Sequence, residues 1–201
     1  MTQTFAVTWD YRCPFARNAH EHILTGLAAD ADWDVRFLAF SLGQVHVAEG
    51  APSVWEKPEQ DTGIVALQAG VIVRDEFPEL FPAVHRALFA ARHDDARHLE
   101  DAAVVKDVLK RNGVPVDEVF ARIDDGSALA KVRAEHEGFA ESHTVWGVPT
   151  FIVDDQAVFI RFMHRATDGA DPAASISTIE RAVDLISWTD LNEFKHTAVP
   201  K

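Results

Sequence analysis

The residue best placed to do chemistry in this 201-residue chain is its one cysteine, Cys13. It follows the β-rich run Phe5-Ala6-Val7-Thr8-Trp9 and lies within Asp10-Tyr11-Arg12-Cys13-Pro14-Phe15-Ala16. Proline is favoured at the first position of a helix, where its missing N–H costs nothing. Cys13 is therefore predicted at a helix N-terminus, facing unpaired backbone N–H groups and the positive end of the helix dipole. Both favour thiolate over thiol, and the thiolate is the nucleophile. The expected thiol is more acidic than free cysteine, with Arg12 and Arg17 adding positive potential and Asp10 opposing it. The plainer alternative is an inert buried cysteine, the common fate of a lone one. A place before proline, off any apolar helical face, favours reactivity.

A second element is Trp146-Gly147-Val148-Pro149-Thr150, directly before a β-rich stretch. On its own it reads as a turn feeding a strand, with Gly147 permitting a close backbone approach. The histidines carry less. His20 and His22 are two apart and face different sides of a helix, and His136 and His143 lack the carboxylate of a metal-binding H-E-x-x-H. Structural or solvated roles suit them, and no metal site is expected. Asp94-Asp95 and Asp124-Asp125-Gly126 suit helix ends and turns.

The elements that must position Cys13 follow from periodicity. The first run predicts a buried strand and Pro14 to about Ala29 a helix, with Ala16, Ala19, Ile23 and Leu27 on one face. Trp33 to Leu42 is apolar on both faces, as in a central strand between helix layers. From Gln44 to Ser142 helical periods dominate, over Trp55–Arg74, a segment led by Pro78 and Pro82, Leu99–Arg111, Val116–Ile123 and Leu129–Ser142. Trp55, Phe77, Phe81 and Phe89 within them are expected to be core. Thr150–Val153 and Ala157–Ile160 flank a turn at Asp154-Asp155 and read as a hairpin, and Pro172–Ser187 as a last helix.

Composition narrows the class. Apolar residues at 47% and charged residues at 25% suit an ordinary packed core. A formal charge of −13 disfavours binding to nucleic acid or anionic lipid, and no apolar run approaches the roughly 18 residues of a membrane span. One cysteine excludes an internal disulfide framework and a cysteine-rich zinc site. The first fifteen residues, with Asp10, Arg12 and Pro14, carry no apolar signal segment, so a cytoplasmic protein is expected.

Together, Arg12-Cys13-Pro14-Phe15-Ala16 after the first strand, helices after the second and Gly147-Val148-Pro149-Thr150 before the hairpin resemble the DsbA-like branch of the thioredoxin superfamily. The resemblance covers nearly the whole chain. It is closest to the cytoplasmic members: FrnE-type oxidoreductases, 2-hydroxychromene-2-carboxylate isomerases and kappa-class glutathione transferases. It implies an α/β thioredoxin-like fold over residues 1–43 and 144–190, a large all-helical insertion over 44–143 lying above the active site, and a tail over 191–201. It also implies a catalytic Cys13, a cis Pro149 against it, and a substrate site including Pro14, Phe15, Trp146 and Val148, with the Val148 backbone pairing an extended thiol substrate.

The sequence departs from that family at Ala16, where C-P-x-C oxidoreductases carry the second cysteine. The chain therefore cannot store a disulfide within its own motif. A monothiol oxidoreductase remains, exchanging a small thiol or disulfide, or a protein mixed disulfide, through Cys13. Its co-substrate would be glutathione or another low-molecular-weight thiol, with no tightly bound cofactor. The alternatives are a thiol-dependent transferase or isomerase of the kappa-class type, where Cys13 orients a cofactor thiol, and a non-catalytic binding protein on the same fold. A homodimer fits any of them.

Overall fold

The first apolar run forms β1 (Gln3–Trp9), whose last three residues are all buried. The computed structural model describes residues 2–166, 169 and 171–193. A short turn leads from β1 into α1 (Pro14–Ala28), which begins at the expected proline and buries Ala16, Ala19 and Ile23 completely. β2 (Trp33–Ala39) then runs parallel to β1, with Val7 beside Phe37.

Six helices separate β2 from the next strand: α2 (Leu42–Val45), α3 (Ile64–Glu76), α4 (Phe81–His93), α5 (Ala102–Arg111), α6 (Val116–Asp124) and α7 (Ser127–His143). The helix expected over Trp55–Arg74 begins only at Ile64. Pro58 and Gly63 punctuate the segment before it, and residues Pro58–Gln60 form a single 3₁₀ turn. Phe81 and Phe89 are buried core residues, whereas Trp55 and Phe77 are half-buried at its margin.

The chain returns through β3 (Thr150–Val153) and β4 (Gln156–Phe159), paired antiparallel, and ends with α8 (Pro172–Ser187) against α1. Residues 194–201, most of the expected tail, lie outside the described residues.

The sheet order is β2-β1-β3-β4. That corrects one expectation: β2 is an edge strand, not a central one. Its apolar character has another cause. α7 packs along it, the Ala39 N–H donates to Glu135 at 2.7 Å, and Arg74 donates to the Phe37 carbonyl at 2.7 Å. Arg74 and Glu135 also pair with each other at 2.6 Å. Near its C-terminal end the open edge is thereby capped by side chains, which disfavours further strand pairing there.

Candidate active site

Cys13 caps α1. Its backbone N–H donates to the Asp10 carbonyl at 3.0 Å, closing the turn, and its carbonyl accepts from Arg17 N–H at 3.1 Å as the helix begins. The Sγ accepts from the Ala16 N–H at 3.4 Å, one of the free donors at a helix start.

Across the site the Gly147–Thr150 loop is tied to β1 through one buried threonine. Thr8 Oγ1 accepts from Thr150 N–H at 2.8 Å and donates to the Gly147 carbonyl at 3.3 Å. The Thr150 hydroxyl donates to the same carbonyl at 2.8 Å. This anchoring holds the Val148 carbonyl over the cysteine, where the Cys13 thiol donates to it at 3.2 Å. The Val148–Pro149 peptide is cis. A Cβ at Gly147 would meet the Phe159 ring at 3.5 Å, an ordinary contact, so no tight approach explains that glycine.

The expected site residues fall into two groups. Cys13, Val148 and Pro149 are buried together, with Cys13 only 8% exposed. Pro14 and Trp146 are exposed and Phe15 half-buried at the rim. Trp146 turns outward onto Phe159, ring centroids 4.7 Å apart, and Phe15 carries the Arg161 guanidinium over its face at 5.1 Å.

The electrostatics reverse the expectation of an acidic thiol. Burial pushes the Cys13 thiol above its ordinary range, outweighing the Ala16 and Phe15 backbone donors; Asp10 adds to the rise and the charge of Arg161 opposes it. Neither expected arginine supplies a free positive field. Arg12 forks onto Asp10 at 2.6 Å and reaches Asp61 at 2.9 Å. Arg17 is held by Glu21 at 2.7 Å and by Asp94. Both cations are spent on carboxylates, all of them buried except Asp94.

Sequence reasoning also missed a polar chain inside the core beside this turn. Tyr11 donates its hydroxyl to His85 Nδ1 at 2.8 Å, His85 Nε2 donates to His20 Nδ1 at 2.9 Å, and His20 Nε2 donates to the Thr8 carbonyl at 3.1 Å. The carbonyl can only accept, so the direction of every bond in the chain follows from it. Burial lowers His20 to about 4 and lowers His85 well below its ordinary value, so both rings are neutral. Their spacing in sequence gives no signal, because the partners lie on α1 and α4. Among the described residues no cluster of histidine, cysteine and carboxylate side chains could hold a metal ion, and no helix is long and apolar enough to cross a membrane.

The chain belongs to the DSBA-like thioredoxin domain family, whose model matches residues 6–174. Its fold is accordingly the thioredoxin-like one with helices inserted between β2 and β3. A thioredoxin-like oxidoreductase from Silicibacter pomeroyi DSS-3 is similar at a TM-score of 0.60, 18% identical, over 90% of this chain and 86% of that one. Oxidised BdbD from Bacillus subtilis has a TM-score of 0.60 at 17% identity, over 90% and 87%. A 2-hydroxychromene-2-carboxylate isomerase has a TM-score of 0.62 at 16% identity, over 78% and 88%. No curated protein matches the sequence.

Proposed function

We propose that this protein is a cytoplasmic monothiol thiol–disulfide oxidoreductase that works through Cys13 with a low-molecular-weight thiol such as glutathione. The observation that carries this reading is a sulfur at the cap of α1, in reach of the Ala16 N–H, with a methyl group in place of a second thiol one turn on. Cys13 gives its proton to solvent, and its thiolate attacks one sulfur of a small or protein mixed disulfide. The Cys13–S bond forms as the substrate S–S bond breaks, and the departing thiolate takes the electron pair and then a proton from water. A second small thiolate attacks the adduct, forms a new disulfide and returns Cys13. Each step exchanges one disulfide for another, so no outside oxidant enters. Phe15, Val148 and Pro149 frame the approach, with Pro14 and Trp146 exposed at the rim.

Mass spectrometry after incubation with glutathione disulfide at about pH 9, where an ordinary thiol is largely ionised, tests this. A glutathione adduct on Cys13, stable until fresh thiol is added, is expected. Absence of any adduct overturns it. One observation favours a second reading: a thiol that keeps its proton on Val148 can donate that proton to a cofactor thiolate, as a transferase or isomerase would need. Saturable binding in a titration with reduced glutathione, together with no adduct from the disulfide, is its signature.

A further inference from the structure

The chain carries a formal charge of −13, yet the strand exit beside Cys13 reads Arg161-Phe162-Met163-His164-Arg165, without a carboxylate. The backbone there is fixed against the cysteine's own loop, because the Ile160 N–H donates to the Pro149 carbonyl at 3.2 Å. Arg161 is the next residue. Its guanidinium lies over the ring of Phe15, two residues past Cys13, at 5.1 Å from the centroid.

The other cations near the site are neutralised. Arg12 is taken by Asp10 and Asp61, and Arg17 by Glu21 and Asp94. Arg165 pairs with Glu21 at 2.9 Å. A cavity of about 310 Å³ lined by Pro14, Arg17, His93, Met163, His164 and Arg165 adjoins the motif, but its two arginines are already paired. Arg161 is exposed and has no ion pair among the described residues. Its guanidinium stands on an aromatic face, and its N–H donors have no hydrogen-bond partner among the described residues, an arrangement suited to a bidentate carboxylate. Its charge also acts on the Cys13 thiol, so it lies within electrostatic reach of the sulfur.

We propose that Arg161 determines specificity at this site by selecting thiols and disulfides that carry a carboxylate close to the reacting sulfur. The selection offsets a repulsion that the acidic chain would otherwise impose on any anion approaching Cys13. It names the substrate class for the monothiol reading above and rests on that reading for its biological meaning.

The test uses two alkylating reagents, because alkylation needs an accessible thiolate and no disulfide exchange. Rates for anionic iodoacetate and neutral iodoacetamide at Cys13 are compared as a ratio, normalised to 2-mercaptoethanol. The ratio cancels changes in thiolate fraction, which act on both reagents alike. Arg161→Gln should lower it by about two- to fivefold at low ionic strength, the range of an exposed charge pair. Arg161→Lys should keep most of it, Arg161→Glu should lower it further, and added salt should close the gap between wild type and Arg161→Gln. A ratio unchanged in Arg161→Gln and Arg161→Glu overturns the proposal, as does a Cys13 inert to both reagents. A charge-dependent ratio in a protein that forms no glutathione adduct would retain the anion selection while removing the exchange reaction.

Discussion

The Cys13 thiol donates its proton to the Val148 carbonyl oxygen at 3.2 Å. A carbonyl can only accept, so this contact stabilises the thiol and turns repulsive once the sulfur is an anion. The helix start supplies the opposite preference through the Ala16 N–H at 3.4 Å. With Cys13 8% exposed, burial decides between them, and the resting site holds a protonated thiol. Under the proposed exchange, the sulfur gives up this contact as it ionises.

The rate of Cys13 alkylation by iodoacetamide should therefore rise with a midpoint above that of an ordinary thiol, about 8.5. The sign is that of a buried acid whose neutral form is favoured. At neutral pH the folded protein should react more slowly than the same chain in urea. A midpoint at or below the ordinary value would mean that the helix end outweighs burial.

Arg12 joins two segments of the site: its own turn after β1, through Asp10, and the approach to α3, through Asp61. The Asp10 and Asp61 side chains are 1% and 5% exposed, so removing the cation leaves two buried carboxylates held only by backbone N–H groups, those of Arg12 and Leu42 on Asp10 and of Gly63 on Asp61. Arg12→Met should cost about 3–5 kcal/mol, the range for breaking a buried pair from one side. Gly63→Ala should mimic part of this, because a Cβ there would lie 2.5 Å from Arg12 Nε. Urea midpoints for both variants check it. Values within experimental error of wild type would make this network dispensable.

The parts of the site legible in the sequence are those fixed locally. Pro14 set the helix start to the residue, and the hairpin signal placed Val148-Pro149 next to β3. What escaped reading depends on distant partners. The Cys13–Val148 contact spans 135 residues, Arg12 meets Asp61 49 residues on, and Tyr11 meets His85 74 residues on. A helix cap is encoded within four residues, whereas the field around it is set by what the tertiary fold buries beside it. The same reason hid the edge position of β2: its apolar residues record the packing of α7, not two neighbouring strands.

The buried histidines should make the fold acid-sensitive in a defined window. His20 titrates near 4 in the folded state against about 6.5 unfolded, so the unfolded chain binds a proton first as pH falls. Its contribution is complete above about pH 6.5 and is lost as pH drops towards about 4, a change on the order of 3 kcal/mol. His85, lowered in the same direction, adds to it. Protonating either ring would also break the one-way donation from Tyr11 to Thr8. Urea midpoints should fall steadily from pH 7 to about pH 5, before most carboxylate protonation contributes. A flat profile over that interval would show that the chain opens to water without unfolding.

The missing second thiol gives the sharpest test of the motif. Ala16 N–H reaches Cys13 Sγ at 3.4 Å, and residues three apart share a helical face, so a sulfur at position 16 would lie beside the first. Ala16 is fully buried within the core cluster, so adding a sulfur crowds a packed position. Ala16→Cys should cost about 1 kcal/mol or more on those grounds. Chemically the change should be larger. In the natural protein a glutathione adduct on Cys13 has no internal nucleophile and waits for an external thiol. In Ala16→Cys the new thiolate attacks Cys13 Sγ, the Cys13–glutathione S–S bond breaks, and glutathione leaves with the electron pair as the 13–16 disulfide forms. An intramolecular thiol acts at an effective concentration that dissolved thiols do not reach. Released glutathione, followed after loading both proteins and removing excess reagent, should appear much faster from the variant. The variant should then also oxidise a reduced dithiol peptide, which the natural sequence should do only with glutathione disulfide present. Ala16→Ser, matched in size but without the sulfur, should keep the long-lived adduct and so separate crowding from chemistry. Equal adduct lifetimes in Ala16→Cys and wild type would mean that position 16 does not reach Cys13 in solution, and the monothiol account of this site would fall with it.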